Sequence, residues 1–209
     1  NKPRGYVTTL SDERGRKTAA ELVADCGRRV FPVGRLDKDS EGLLLFTNDG
    51  TLAQQLLHPR HQVDKVYQVT VSGALEGAEE RLSRMRMLEG EPIQPAQVRR
   101  LSQKGETAVL EVIIHQGKNR QIRRMCRALD YHVMNLKRVR IMNIQLGTLK
   151  RGEYRELTEK ELSDLMKLVE GSTNLPAREA AKAGKLTDPA KRERKTVNSG
   201  YQGKKSDRR

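Results

Sequence analysis

The sequence predicts an α+β fold in which helices flank a mixed, mainly antiparallel sheet. Three observations lead there. Strand-like and helix-like stretches both occur, but they do not alternate regularly as a doubly wound sheet requires. The clearest strand, Val66-Tyr67-Gln68-Val69-Thr70-Val71, alternates in the way of a half-buried antiparallel strand. The chain has 209 residues, 35% of them hydrophobic, which is enough for one substantial core.

In order, strand-like runs fall at Gly5–Thr9, Val30–Val33, Leu43–Thr47, Val63–Ser72, Thr107–His115 and Val133–Ile141. Helix-like stretches fall at Lys17–Asp25, Thr51–Leu57, Ala78–Arg86, Asn119–Leu129 and Thr158–Val169. The last opens with Thr158 three residues before Glu161, the spacing of a capping box. Gly73 to Gly90 offers a candidate internal boundary, and no internal repeat is present. Residues 173–209 are different. They carry eleven Lys or Arg against four Asp or Glu, and few large apolar residues. Such a stretch cannot bury enough surface to offset its ordering entropy, so residues 1–172 are expected to fold and 173–209 to form a basic, disordered tail.

The whole chain holds 41 Lys+Arg and 27 Asp+Glu, a formal charge of +14. An excess of this size points to a polyanionic partner, with nucleic acid ahead of a membrane surface. No apolar run is long enough to span a bilayer, so no membrane role is expected. The opening Asn-Lys-Pro-Arg-Gly-Tyr holds no apolar segment of the signal-peptide kind, and its lack of an initiator Met leaves a trimmed N-terminus open. Cys26 and Cys126 cannot build a disulfide framework, and a reducing cytoplasm is the expected location. With four scattered histidines and no Cys-x-x-Cys, no metal site is expected.

Two segments carry the candidate chemistry. Gly34-Arg35-Leu36-Asp37-Lys38-Asp39-Ser40-Glu41-Gly42 is highly charged yet lies between two core-like runs, where a fixed catalytic group is commonly held. The plainer alternative is a solvated turn. Calcium is a third reading, because Asp37, Asp39, Glu41 and Gly42 match the early positions of an EF-hand loop; the twelfth position is Asn48 rather than Glu, which argues against it. In the second segment, Ile122, Met125, Cys126 and Leu129 recur at core-facing helical spacing, and Arg120, Arg123, Arg124 and Arg127 recur on the other side. Four arginines with no acid among them cannot be balanced within the helix, so phosphate contact is expected. Arg123 lies nearest the apolar edge and is the one best placed to be partly buried against a carboxylate. With aromatic residues at 3% and no Trp, binding of single strands by stacked aromatics is disfavoured. A helix-turn-helix lacks its partner helix, because a strand precedes residue 119.

Gly34-Arg35-Leu36-Asp37 with Ser40-Glu41-Gly42-Leu43-Leu44, then Lys65-Val66-Tyr67, then Gly117-Lys118-x-Arg120-Gln121-Ile122-Arg123-Arg124-Met125 resembles the bacterial ribosomal RNA pseudouridine synthases. Asn1-Lys2-Pro3-Arg4-Gly5, Leu136-Lys137-Arg138-Val139-Arg140-Ile141 and Gly152-Glu153-Tyr154-Arg155-Glu156-Leu157 match in the same order. The resemblance covers about residues 1–170 and is nearest to the branch acting on single sites of small- or large-subunit RNA. It extends to the catalytic domain, without the S4-type RNA-binding domain that many members carry before it. It implies the pseudouridine synthase fold and isomerisation of uridine to pseudouridine without cofactor or metal. Asp37 would be the catalytic carboxylate, attacking or deprotonating the sugar. Arg123 would pair with it, keeping it charged and aimed. Tyr67 would pack on the uracil and take the C5 proton, and Leu136 would close the other side of the base. Arg35 would fill the gap left by a flipped nucleotide. Lys118, Arg120, Arg124 and Arg127 would hold phosphates, Glu41 would brace the loop, and Asp39 has no counterpart role. The expected partner is ribosomal RNA or an assembling subunit, met by a monomer. Two rivals are a non-catalytic RNA-binding assembly factor on the same fold and a glycosidase using Asp37 and Asp39.

Overall fold

The long strands form where the residues alternate best. In the computed structural model, which describes residues 1–58 and 61–171, β4 (Lys65–Ser72) buries Val66, Tyr67, Val69 and Val71. It is flanked by two antiparallel neighbours, β8 (Thr107–Ile114) and β9 (His132–Ile141). Beyond β8 lies β7 (Gln97–Lys104), and beyond β9 lies the short β10 (Ile144–Gln145), giving the order β10-β9-β4-β8-β7. One parallel pairing makes the sheet mixed: β2 (Glu41–Gly42) lies beside β9, with Glu41 opposite Lys137 and Gly42 opposite Arg138. The fold is therefore the mixed, mainly antiparallel α+β arrangement that the residue patterns predict.

Two apolar clusters hold it together. One packs the inward faces of β4, β8 and β9 (Tyr67, Val69, Val71, Leu110, Val112, Leu136) against α2 (Ala78–Arg84) and α3 (Gln121–Arg127) through Leu82, Ile122, Met125 and Cys126. The other joins Val33, Leu43 and Leu45 to α1 (Gly50–Leu57) and α4 (Glu159–Gly171) through Leu52, Leu56, Leu165 and Val169. The capping box of α4 is present, with Glu161 N–H donating to Thr158 Oγ1 at 3.1 Å and Thr158 N–H to Glu161 Oε2 at 2.9 Å. Asp49 caps α1 by accepting from the Thr51 and Leu52 amides.

Several elements differ from the sequence reading. Residues 5–9 make a single bridge, Val7 to Thr18, rather than a strand. The Lys17–Asp25 stretch is a 3-10 turn, Ala19–Val23. Val30–Val33 and Leu43–Thr47 shrink to β1 (Phe31–Pro32) and β3 (Phe46–Thr47), paired with each other. β7 was not foreseen: Gln97-Val98-Arg99-Arg100 and its sequel are polar because this strand closes the sheet at its edge, where charged side chains face water. No boundary divides 73–90. That stretch holds α2 and a hairpin of β5 (Met87–Leu88) and β6 (Glu91–Pro92), and the chain then returns to the same sheet, so that residues 1–172 form one compact unit. The tail foreseen at 173–209 lies outside the described residues. Among those described, no helix is long and apolar enough to cross a membrane.

Candidate active site

The charged loop between β1 and β2 is pinned from both sides. From the N-terminal segment, Gly5 N–H donates to Lys38 O at 2.7 Å and Thr8 Oγ1 donates to Leu36 O at 2.7 Å. Lys2 and Gly42 exchange both backbone hydrogen bonds, at 2.8 and 2.9 Å. From β9, Arg138 O accepts from Leu43 N–H at 2.7 Å, and Arg138 Nε donates to Leu43 O at 2.7 Å. Gly42 is required here. Its φ is +106°, and a Cβ would overlap the Arg138 carbonyl oxygen and lie 2.8 Å from the Arg138 nitrogen.

Two buried charges lie under this loop. Lys2, 1% exposed, donates through Nζ to the carbonyls of Pro3 and Tyr6 at 2.9 and 2.8 Å. Burial lowers its pKa to about 8, against the pull of nearby Asp37, Asp39 and Glu41. Glu41, 2% exposed, accepts from Asn135 Nδ2 at 3.2 Å and from Arg151 Nη2 at 3.3 Å, the bracing contacts expected of a buried carboxylate.

Above them is a cleft of about 290 Å³ whose lining includes Arg35, Asp37, Tyr67, Lys118, Arg120 and Leu136. Tyr67 on β4 and Leu136 on β9 are both buried in adjacent strands, Tyr67 opposite Arg138 and Leu136 opposite Val69, and Arg35 is exposed at the rim. A separate cavity of about 330 Å³, walled mainly by aliphatic side chains from Val33 to Leu165, contains none of these groups. The first cleft is the one that combines an apolar slot with convergent charge.

The arginines arrange themselves differently from the sequence expectation. Asp37 pairs with Arg120, Oδ2 to Nη1 at 3.3 Å. Arg123 instead serves Asp39: Nη2 donates to the Asp39 carbonyl at 2.9 Å, and Nε stands 3.4 Å from Asp39 Oδ2. Ser40 Oγ lies 3.4 Å from the same Nη2. The reason is the start of α3. Arg120 is its N-cap and takes a left-handed turn, φ +45°, so its side chain reaches over the loop to both carboxylates. Arg123, one turn on, meets the loop at Asp39.

The pairing of Asp39 with both arginines is what the residue patterns do not foresee. Both Arg120 nitrogens Nη1 and Nη2 donate to its carboxylate, at 3.0 and 2.9 Å. Those hydrogen bonds hold Asp39 below the usual carboxylate range, with help from the Arg123 charge and against partial burial. Arg123 shifts down from its ordinary value because it is buried, with Asp39 opposing. The signal was available: two acids two residues apart face a helix whose arginines have no acid of their own.

The outer arginines are engaged too. Arg124 Nε donates to Glu89 Oε2 at 3.0 Å, and Arg127 Nη2 donates to Glu89 Oε1 at 3.1 Å. Lys118 Nζ reaches Glu91 Oε2 at 3.1 Å and the Pro92 carbonyl at 2.9 Å. The acids missing from the helix are supplied by the β5–β6 hairpin, through Glu89 and Glu91. Cys126 sits in the core, where burial pushes its thiol up to about 12, and it offers no nucleophile.

Known proteins resemble this chain in sequence and fold. The family described as RNA pseudouridylate synthase matches residues 1–128. An RNA pseudouridine synthase of Aquifex aeolicus (strain VF5) is 42% identical over 173 residues, covering 81% of this chain and 69% of the relative. Ribosomal large subunit pseudouridine synthase B of Bacillus subtilis (strain 168) is 38% identical, covering 83% of this chain and 72% of its own length. For the dual-specificity RNA pseudouridine synthase RluF of Escherichia coli (strain K12) the identity is 41%; 83% of this chain is covered but only 58% of that protein. A crystal structure of a pseudouridylate synthase superposes with a TM-score of 0.70 at 31% identity, over 80% of this chain and 71% of that one. The chain belongs to the RNA pseudouridylate synthase family and is a pseudouridine synthase, an isomerase.

Proposed function

We propose that this enzyme converts a uridine of ribosomal RNA to pseudouridine, with Asp37 as its catalytic carboxylate. The observation that carries the reading is the meeting of Asp37, Tyr67 and Leu136 in one cleft, large enough for a single base. A uracil flipped from the RNA enters between the Tyr67 ring and the Leu136 side chain, which places its ribose against Asp37. Arg35 at the rim fills the space the base vacates.

Asp37 then acts on the sugar, either by adding to C1′ or by taking a proton from the ribose. The C1′–N1 bond breaks, the uracil turns within the slot, and C5 bonds to C1′. The C5 proton departs, with Tyr67 placed to receive it, and N1 ends as N–H, so the atoms balance with no outside reagent. Arg120 matches the charge of Asp37 directly, and Arg123 acts two residues away through Asp39. A ribosomal substrate is supported by the name of the Bacillus subtilis relative and by the net charge of +14.

Mapping pseudouridines in ribosomal RNA from cells with and without the gene tests this reading. One position should lose its modification without the gene and regain it on complementation. An unchanged ribosomal map would remove ribosomal RNA as the substrate.

A further inference from the structure

The cations around the cleft fall into two sets. Lys118, Arg120, Arg123, Arg124 and Arg127 are each paired with a carboxylate from another element. Arg35 at the rim of the first cleft, and Arg4 and Lys38 beside it, have no carboxylate partner among the described residues. Arg4 makes a long 3.5 Å contact from Nη1 to the Met134 carbonyl, and Lys38 engages Gly5 through its backbone carbonyl alone.

These two cations share a place. A shallow open cleft of about 440 Å³ is lined by Arg4, Gly5, Asp37, Lys38, Asp39 and Arg120. Asp37 and Arg120 also line the cleft that holds Tyr67 and Leu136, so this ion pair is the common wall of the two.

We propose that the second cleft is a phosphodiester subsite, with Arg4 and Lys38 gripping the RNA backbone beside the target uridine. The inference rests on Asp37 as the carboxylate that acts on the sugar. If the base fills the first cleft and C1′ faces Asp37, the ribose straddles the wall. Its O3′ and O5′ branches then leave on the far side, toward Arg4 and Lys38. The carboxylates there do not repel a phosphate, because Asp37 and Asp39 are already matched by Arg120 and Arg123. Arg4 and Lys38 are the uncompensated charges of this second cleft, so their counterions are the ones a phosphate there would release. This reassigns backbone contact from the α3 stripe to the loop and the N-terminal segment.

The test uses a transcript of large-subunit ribosomal RNA, with binding measured over a salt series and pseudouridine formation followed in single turnover. Arg4→Gln and Lys38→Gln should each weaken binding several-fold and lower the slope of log affinity against log salt by about one. Arg4→Lys and Lys38→Arg should restore the slope. Lys104→Gln, which removes the same charge at the far end of the β7–β8 pair, should leave it unchanged. A double variant of Arg4 and Lys38 with the wild-type slope would overturn the subsite, as would an equal loss in Lys104→Gln. A wild-type enzyme that forms no pseudouridine in ribosomal RNA would instead overturn the function on which the subsite rests.

Discussion

Helix α3 presents arginines at both ends, and each end is bridged by one carboxylate from elsewhere in the chain. At the first turn Asp39 joins Arg120 to Arg123; at the last turn Glu89 joins Arg124 to Arg127. Both acids are held below the usual carboxylate range by arginine hydrogen bonds. The difference lies in what is attached. Asp39 belongs to the pinned loop that carries Asp37, and its Arg120 also touches Asp37. Glu89 sits in the turn of a two-strand hairpin, and its Arg127 is 75% exposed where Arg123 is 13%. The same pairing thus holds the Asp37 loop at one end and docks a hairpin at the other. Position in the network decides, not residue type.

That contrast can be broken most severely at Arg123. Arg123→Ala leaves Asp39 with Arg120 alone and opens a gap beneath the loop. Turnover should be largely lost and the protein destabilised, by less than the ~3–5 kcal/mol typical of a fully buried pair, because Asp39 is itself partly exposed. Thermal unfolding and single-turnover rates measured together check this. A variant that is stable but inactive would mean that Arg123 acts on the substrate itself.

Asp39→Asn should cost less than the loss of Asp37. It frees Arg120 and lets the Asp37 carboxylate drift, and, on the proposed role of Asp37, a misplacement of this kind costs up to ~10²-fold. Its pH behaviour carries a sign. Asp39 is depressed in the fold, so its stabilising contribution is complete above the unfolded carboxylate value near ~3.9 and fades as pH falls through the lower folded value. The difference in melting temperature between wild type and Asp39→Asn should therefore be constant near neutrality and close in acid. A difference that persists unchanged into strong acid would show that the charge is not what holds the arginines.

At the outer end the effects shrink and one reverses. Glu89→Gln should leave melting and turnover close to wild type while raising RNA affinity slightly, since Arg124 and Arg127 regain free charge for phosphate. Arg127→Ala should be the mildest change, with unaltered melting and a small loss of affinity. If Glu89→Gln instead abolished turnover, the hairpin would belong to the active site and the two ends of α3 would not be distinct.

Strands β4, β8 and β9 were legible because alternation survives where one face is buried, and α4 because Thr158 and Glu161 form a local box. β7 was not, because an edge strand owes its polar composition to water rather than to a pattern of its own. Within the site, the loop of Asp37, the strand of Tyr67 and the arginine stripe could all be read. Their pairing could not. Helical spacing places Arg120 and Arg123 on one side of α3, but the acids that meet them come from residues 37 and 39, some eighty positions earlier, and the left-handed turn at Arg120 changes which one it reaches. Long-range partners depend on how the elements dock, and periodicity carries no information about docking.

The central claim is that Asp37 performs the chemistry while the surrounding cations bind and aim. Asp37→Asn, assayed for pseudouridine formation and for binding to the same large-subunit ribosomal RNA transcript, tests it most directly. The substitution removes the Asp37 carboxylate and no cation, so no pseudouridine should form even at saturating enzyme, with RNA affinity close to wild type. Turnover above trace level in a protein that binds normally would contradict the account.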